Sequence, residues 1–252
     1  MPCATFIAED LTMRNRHGKL SAFVFLAAAV LHAQGPLSLD EEPHYALLLS
    51  NEYCKVYSIN LGRLEETKPV AHEHDWVWLS LTGRVTEARG GTTFQSVGEP
   101  VGHEAGYSVH FRFPVKPYTL RNDHINEYQG IVVELMKGDE SRYRGDPSLN
   151  PNAEFLSPGD TEKSYVNSLV KTNVEIENLQ LLAGDAQEVS SNAVGHLLVA
   201  MTDVELRCEA KDAAPVTVRL SRGEVKWFAD AATATYKNAG REVARFAILQ
   251  MK

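Results

Sequence analysis

Residues 72–83 read HEHDWVWLSLTG, and this short stretch places two histidines immediately before an apolar run that ends on a glycine. The run Asp75–Leu81 is rich in Trp, Val and Leu and has a turn residue close behind it, which predicts a β-strand. Alternate residues of a strand project from the same face. One face of this segment is therefore predicted to carry His72, His74, Trp76 and Trp78.

Runs of the same kind recur on both sides of this stretch and predict an all-β protein. They are 5–9 residues long, rich in β-branched and aromatic residues, and separated by Gly, Pro, Asn and Asp, which is typical of barrels and sandwiches. The other predicted strands are Tyr45–Ser50, Cys54–Leu61, Tyr107–Phe113, Gly130–Met136, Val194–Met201, Val216–Leu220, Glu224–Phe228 and Val243–Met251.

One long stretch interrupts this pattern. Lys137–Thr161 is polar and rich in Pro and Gly, so it is predicted to lie outside the cores and to link two modules. The resulting division predicts a first module at 40–137, a linker at 138–165 and a second module at 166–252.

The two modules resemble each other, which indicates an internal duplication. A gap-free alignment places Gly62, His74 and Gly83 over Gly184, His196 and Glu205. With one residue fewer in the second module, Gly106 and Asn122 align with Gly223 and Asn238, and Leu135–Lys137 aligns with Gln250–Lys252.

These positions resemble two sequence motifs of the cupin superfamily. Gly62, the His72-x-His74 pair and Gly83 are similar to the first motif, and Gly106–Asn122 is similar to the second. In the second module, Gly223–Phe228 and Asn238 repeat the second motif. The resemblance implies two small jelly-roll β-barrels in one chain.

The family's metal site uses two His and one Glu from the first motif and one His from the second. His72 and His74 occupy the two histidine positions of the first motif, whereas Trp78 and Tyr118 stand in the other two places. In the second module the corresponding residues are Val194, His196 and Ala234, so that module is not expected to bind metal.

Two imidazoles in a His-x-His pair can both reach one transition-metal ion, but a tight site normally needs a third protein ligand. The hypothesis is therefore one divalent Zn, Fe, Cu, Ni or Mn ion held by His72, His74 and Tyr118, with Tyr118 as ligand or proton donor. Structural, hydrogen-bonded histidines are the alternative. Further candidate histidine ligands are His103, His110 and His124.

Around that site we expect a flat pocket wall and anion-pairing arginines. The predicted pocket residues are Trp76, Trp78, Arg112 and Arg121. Indoles are as well suited to filling a core as to stacking on a ligand, and both interpretations stay open. Glu134, at the end of an apolar run, is interpreted as a paired carboxylate or an acid/base residue.

The first residues carry an export signal pattern. A cationic lead at Arg14–Lys19 precedes the apolar run Leu20–Leu31, and a small residue follows at Ala33, which predicts a signal peptide at 1–33 and a periplasmic or extracellular protein. A buried core helix is the alternative, and Met13 is an alternative start. After export, Cys54 and Cys208 are expected either to pair or to stay as buried thiols.

The charge pattern limits the partners. The net charge is -8 and no dense Lys/Arg block follows the N-terminal segment, which argues against nucleic acid or, after cleavage, a membrane surface. The leading hypothesis is a small-molecule-binding protein, and any catalysis would be metal-dependent oxygenase, isomerase or hydrolase chemistry. The rival is a non-catalytic scaffold with filled barrels and no metal. A homodimer is compatible with either.

Overall fold

The computed structural model describes residues 35–89, 92–97, 108–112, 117–137, 154–156, 162–190, 193–210, 213–229 and 233–252. Leu37–Lys252 form one compact unit. The predicted signal peptide lies outside the described residues. The strands are β1 (Tyr45–Ser50), β2 (Cys54–Leu61), β3 (Trp76–Thr82), β4 (Val85–Arg89), β5 (Thr92–Val97), β6 (Ser108–Arg112), β7 (Tyr118–Arg121), β8 (Tyr128–Leu135), β9 (Glu154–Leu156), β10 (Tyr165–Val170), β11 (Val174–Leu181), β12 (Ala186–Val189), β13 (Gly195–Ala200), β14 (Val204–Ala210), β15 (Val216–Leu220), β16 (Val225–Phe228), β17 (Ala234–Asn238) and β18 (Ala244–Met251).

The all-β prediction is confirmed. Within the described ranges the only helical element is a 3-10 turn at Leu39–Glu41, and no helix there is long and apolar enough to cross a membrane. Each of the nine predicted runs coincides with a strand to within two residues at either end. The sequence pattern did not predict the other strands, which are shorter or more polar.

Among the described residues, four antiparallel sheets make two similar halves. The first half has a six-stranded sheet, β1-β2-β8-β3-β6-β9, and a three-stranded sheet, β5-β4-β7. The second half has a five-stranded sheet, β10-β11-β18-β13-β16, and a four-stranded sheet, β12-β17-β14-β15. The order β2-β8-β3-β6 recurs as β11-β18-β13-β16, which is the order expected of a duplicated barrel.

Three apolar cores follow from the alternation of side chains along these strands. The first barrel encloses residues such as Ile59, Trp76 and Tyr128, and the second encloses residues such as Leu198 and Phe246. The opposite faces of the two large sheets share a third core, which contains Val56, Val77 and Leu79 of the first sheet and Ile176, Leu197 and Leu249 of the second. The central strands β3, β8, β13 and β18 are therefore largely buried on both faces.

In each barrel an asparagine side chain stabilises the same turn through hydrogen bonds to two backbone carbonyls. The Asn122 amide donates to the carbonyls of Leu61 and Asn126 at 3.0 and 2.8 Å. The Asn238 amide donates to the carbonyls of Leu181 and Glu242 at the same two distances. This repetition agrees with the duplication that the sequence indicates.

The turn also corrects the alignment of the two modules. The Leu64 N–H donates to the Asn122 carbonyl, and the Gly184 N–H donates to the Asn238 carbonyl, so Leu64 and not Gly62 corresponds to Gly184. Both residues have positive φ, 62° and 83°. The gap-free alignment was wrong by two residues because it assumed that only glycine would occupy this position.

The corrected register changes the counterparts of the His-x-His pair. Trp76 lies opposite Glu134, and His196 lies opposite Gln250 on the equivalent strand. His196 therefore corresponds to Trp76, and Val194 corresponds to His74.

Within the stretch 138–165, Glu154–Leu156 form β9, which pairs with β6 at the edge of the first barrel's sheet. Cys54 and Cys208 are free buried thiols. They belong to different cores, the shared core and the interior of the second barrel, so they do not form the disulfide that export would permit. Burial raises the pKa of Cys54 to about 12 and that of Cys208 to about 11.

Candidate functional site

The candidate site is built around β3 inside the first barrel. Trp76 and Trp78 alternate with Val77 and Leu79, so the indoles face the barrel interior while the aliphatic side chains enter the shared core. Because β3 begins at Trp76, the strand alternation does not extend back to His72 and His74, and the predicted common face holds for the two tryptophans only.

His72 nevertheless reaches the same interior. Its side chain is buried, its Nδ1 lies 2.8 Å from Glu134 Oε1, and its Nε2 lies 2.8 Å from Tyr118 Oη. A carboxylate only accepts hydrogen bonds, so Nδ1 carries the proton and Nε2 accepts from the phenol. Burial lowers the pKa of His72, an effect that outweighs the opposing attraction of Glu134, and the ring is therefore neutral.

Aromatic rings surround this histidine. The His72 ring stacks on Trp76 with a centroid separation of 3.9 Å, and the Trp76 and Tyr118 rings are nearly parallel, with an interplanar angle of 2°. Trp78 donates its Nε1–H to Tyr128 Oη at 2.5 Å. Burial raises the pKa of both Tyr118 and Tyr128, so both phenols keep their protons.

A buried ion pair lies against the two tryptophans. Arg112 donates from Nη1 to Glu87 Oε2 at 2.6 Å, and both side chains are more than 90% buried. The guanidinium carbon is 5.2 Å from the centre of the Trp76 ring and 4.9 Å from that of Trp78. Stacking on two indole faces stabilises a cation that water no longer reaches.

Other predicted site residues lie elsewhere. Arg121 is half-exposed and its Nε is 2.7 Å from Asp123 Oδ1, so this arginine is held at the surface rather than in the pocket. His74 is partly exposed, ahead of β3. His110 faces the barrel interior from β6, and burial lowers its pKa to about 3. His124 follows Asn122 in the turn, and His103 lies outside the described residues.

The arrangement does not fit the predicted metal centre as it stands. Both ring nitrogens of His72 are engaged, by Glu134 and Tyr118, and the Tyr118 phenol is protonated. Across the parts of the chain that the structure describes, no group of three or more His, Cys, Asp or Glu side chains converges on one point. A metal on His72, His74 and Tyr118 stays a prediction that requires these hydrogen bonds to be exchanged.

The second barrel provides an internal comparison. Trp76 lies between Arg112 and Glu134 on the neighbouring strands, whereas His196 lies between Phe228 and Gln250. Glu87 is opposite Leu120, two residues before Asn122, and Cys208 is opposite Tyr236, two residues before Asn238. Ala234 replaces Tyr118 in the same register. The counterparts of Glu87, Arg112, Tyr118 and Glu134 are thus all uncharged.

Sequence reasoning missed part of this cluster. Glu134 was interpreted only as a paired or acid/base carboxylate, with no partner assigned, and Glu87 was not singled out. The available signal for Glu134 was its place on an interior-facing position of β8, two residues beyond Val132. Glu87 gave no such signal, because the sequence pattern did not predict β4.

Comparisons with known proteins agree with the fold. No family model matches the sequence, and no curated protein matches it. Among solved structures, the protein YhaK from Escherichia coli matches with a TM-score of 0.59 and 11% identity over 83% of this chain and 92% of that chain.

Two further structures match with similar coverage. Procruciferin, an 11S globulin from Brassica napus, has a TM-score of 0.59 and 8% identity over 80% of this chain and 77% of that chain. Oxalate decarboxylase from Bacillus subtilis has a TM-score of 0.55 and 12% identity over 88% and 78%. At these identities the likeness shows the fold alone, and the fold of this chain is that of the cupin barrel proteins, with two barrels in one chain.

Proposed function

We propose that the first barrel binds a small organic molecule at the polar cluster formed by His72, Glu87, Arg112, Tyr118 and Glu134, and that the second barrel is a structural partner. The observation that supports this proposal is that the two barrels have equivalent strand pairings but differ in their buried charged residues. The second barrel forms with uncharged residues at the positions where the first has Glu87, Arg112 and Glu134. The fold therefore does not require these charges.

Burying such groups has a cost in stability. Taking a carboxylate and a guanidinium out of water costs several kcal/mol per ion, and a well-packed apolar pair is often as stable or more stable. Residues that the fold does not need and that reduce its stability are typical of a binding site. The cluster offers a guanidinium, a neutral imidazole, two carboxylates and a phenol, beside flat indole faces, for recognition of a ligand.

A scaffold without a ligand is the second candidate, and one observation favours it. Trp76, Trp78, Tyr118 and Tyr128 are all at most 1% exposed, so large rings already occupy much of the barrel interior. In this alternative the hydrogen bonds and the ion pair of the polar cluster only link neighbouring strands to one another.

A thermal-shift screen of small molecules against the full chain distinguishes the two candidates. Native-state binding raises the melting temperature, so at least one compound is expected to stabilise the wild type. The double variant Glu87→Cys/Arg112→Phe introduces the second barrel's residues and is expected to lose that response. A matched control applies the same two substitutions to the exposed pair Glu205–Arg219, whose charged atoms are 2.7 Å apart; this control keeps the response.

The scaffold alternative is correct if no compound stabilises the wild type. A compound that stabilises the wild type and the Glu87→Cys/Arg112→Phe variant equally binds outside the cluster, and this result also overturns the proposal. Including Zn, Fe, Cu, Ni and Mn salts in the screen, with His72→Ala as the comparison, tests the metal prediction in the same measurement.

The export prediction belongs to this proposal as well. A periplasmic or extracellular protein would meet ligands outside the cytoplasm, and the sequence support is the signal-peptide pattern of residues 1–33. Mass spectrometry of the chain expressed in a bacterium with a periplasm is expected to find an N-terminus close to residue 34 in the periplasmic fraction. A chain that keeps residues 20–31 in the cytoplasmic fraction would rule out export.

A further inference from the structure

Beside the Glu87–Arg112 pair, two N–H donors are buried without an acceptor among the described residues. The side chains are Trp76 and Arg112, which are 0% and 6% exposed. Neither Trp76 Nε1 nor Arg112 Nε has a hydrogen-bond partner among the residues that the structure describes. A buried donor without an acceptor destabilises the fold, so two in one cluster call for an acceptor.

The two donors are close enough to serve one molecule. They belong to groups whose centres, the guanidinium carbon and the Trp76 ring centroid, are 5.2 Å apart. Each donor atom is within about one or two bond lengths of its group's centre. An indole N–H and a guanidinium N–H both donate and never accept, so what they lack is an acceptor atom.

The charges around them disfavour an anion. Arg112 is already paired with Glu87 at 2.6 Å, and Lys55, which lies opposite Glu134 on β2, is paired with Asp40 at 2.9 Å. Glu134 faces the neutral ring of His72. These groups together carry one excess negative charge, which repels a carboxylate or phosphate in a site that water does not screen.

A cation would not satisfy the donors either. Ammonium and guanidinium groups only donate hydrogen bonds, so they would leave both N–H groups unpaired. A neutral molecule with a carbonyl, ether or hydroxyl oxygen carries no charge and supplies the acceptor atom that the two N–H groups lack.

We infer that the ligand of the first barrel is an uncharged molecule that presents an oxygen acceptor to Trp76 Nε1–H and Arg112 Nε–H. This inference rests on the proposed function, because it names the class of molecule that the polar cluster takes. An amide carbonyl meets this requirement, because its oxygen accepts hydrogen bonds and carries no net charge.

Three probes of nearly the same shape distinguish a neutral ligand from an anion and a cation. They are acetamide, acetate and acetamidinium, in that order. The chain has three tryptophans, and the indole N–H resonances are assigned in ¹⁵N-labelled full-length protein by the variants Trp76→Phe and Trp227→Phe. Acetamide is expected to shift the Trp76 indole and Arg112 Nε–H resonances in a saturable way, and acetate and acetamidinium are not.

Trp76→Phe keeps an aromatic ring but removes the donor, so it should weaken acetamide binding about fivefold, as expected for one hydrogen bond. Trp227→Phe is the matched control, since Trp227 stacks on Tyr53 away from the cluster, and it should leave the affinity unchanged.

The outcomes separate the inference from the proposed function. If acetate or acetamidinium shifts the Trp76 resonance more than acetamide does, the ligand class is wrong while the first barrel still binds small molecules. If no probe shifts it and the indole proton shows a cross-peak to water, an internal water is the acceptor and the inference is overturned. The compound screen on Glu87→Cys/Arg112→Phe then decides the proposed function independently.

Discussion

At the scale of single residues, the contribution of the Glu87–Arg112 pair to the free energy of unfolding tests whether the first barrel needs these two charges in order to fold. Arg112→Ala removes the cation that pairs with the buried Glu87 carboxylate, so we expect the free energy of unfolding to fall by about 3–5 kcal/mol. Glu87→Cys/Arg112→Phe removes both charges and is expected to lie within about 1 kcal/mol of the wild type, or above it. Urea denaturation of the two variants measures both values.

The same substitutions at Glu205 and Arg219 provide the control, because that pair is exposed and exposed pairs contribute little to stability. If Glu87→Cys/Arg112→Phe is as unstable as Arg112→Ala, the charges are needed by the fold itself. The comparison between the two barrels would then no longer support a ligand.

Glu177 should make stability depend on pH. Burial, assisted by repulsion from Glu175, raises the pKa of Glu177 to about 7, above its ordinary value of 4.5. The folded state therefore holds this proton more tightly than the unfolded state, so the contribution of Glu177 to stability is highest below pH 4.5 and falls as the pH rises to about 7.

Because solvent partly screens this group, we expect Glu177→Gln to stabilise the protein by only about 1–2 kcal/mol at pH 8, and to have little effect at pH 4.5. Urea denaturation at the two pH values is the measurement, with Glu175→Gln as the neighbouring control. An equal effect of Glu177→Gln at both pH values would show that its carboxyl group titrates normally.

At the scale of elements, the turn that follows β2 tests the duplication. Leu64 occupies a left-handed conformation with φ 62°, where its counterpart is Gly184. A non-glycine residue there costs about 1–2 kcal/mol, and the exposed Leu64 side chain has little packing to lose. Leu64→Gly is therefore expected to raise the free energy of unfolding by about 1 kcal/mol.

Gly184→Leu is the reciprocal change and should lower stability by a similar amount, with no neighbouring atom within 4 Å of the new Cβ to obscure the backbone effect. Thermal unfolding of both variants checks the pair. If Leu64→Gly destabilises the protein, the left-handed conformation at Leu64 is not strained.

The strands were predictable from sequence because burial on both faces of the large sheets leaves continuous apolar runs, as in Trp76–Leu81 and Ile131–Leu135. The site was predictable only in part. Trp76 and Tyr118 stack with His72, and Trp78 and Arg112 lie against Trp76. Strand alternation or motif spacing singled out all four of these residues. The partner carboxylates Glu87 and Glu134 depend on pairings between strands that are far apart in sequence, and no local pattern encodes those pairings.

At the scale of the whole molecule, the shared core predicts that the two barrels unfold together. Val77 is fully buried there beside residues of both large sheets. Val77→Asp places a charge in this core and is expected to cost more than about 4 kcal/mol, enough to unfold both barrels. Asn60→Asp, at an exposed position of the same sheet, is the control and should change stability little.

Far-UV circular dichroism and tryptophan fluorescence are expected to give coincident transitions for the wild type and a parallel loss of structure in Val77→Asp. A second transition that survives in Val77→Asp at the midpoint of the wild type would contradict the expectation, because it would show that one barrel is stable alone.

We expect the first barrel, and not the second, to bind the ligand. A crystal structure of the full chain with the compound that raises its melting temperature most would locate the bound molecule. We predict that the compound lies inside the first barrel, with an uncharged oxygen accepting hydrogen bonds from Trp76 Nε1 and Arg112 Nε. A compound bound in the second barrel or on the outer surface, with Trp76 and Trp78 still packed against Arg112, would contradict this expectation.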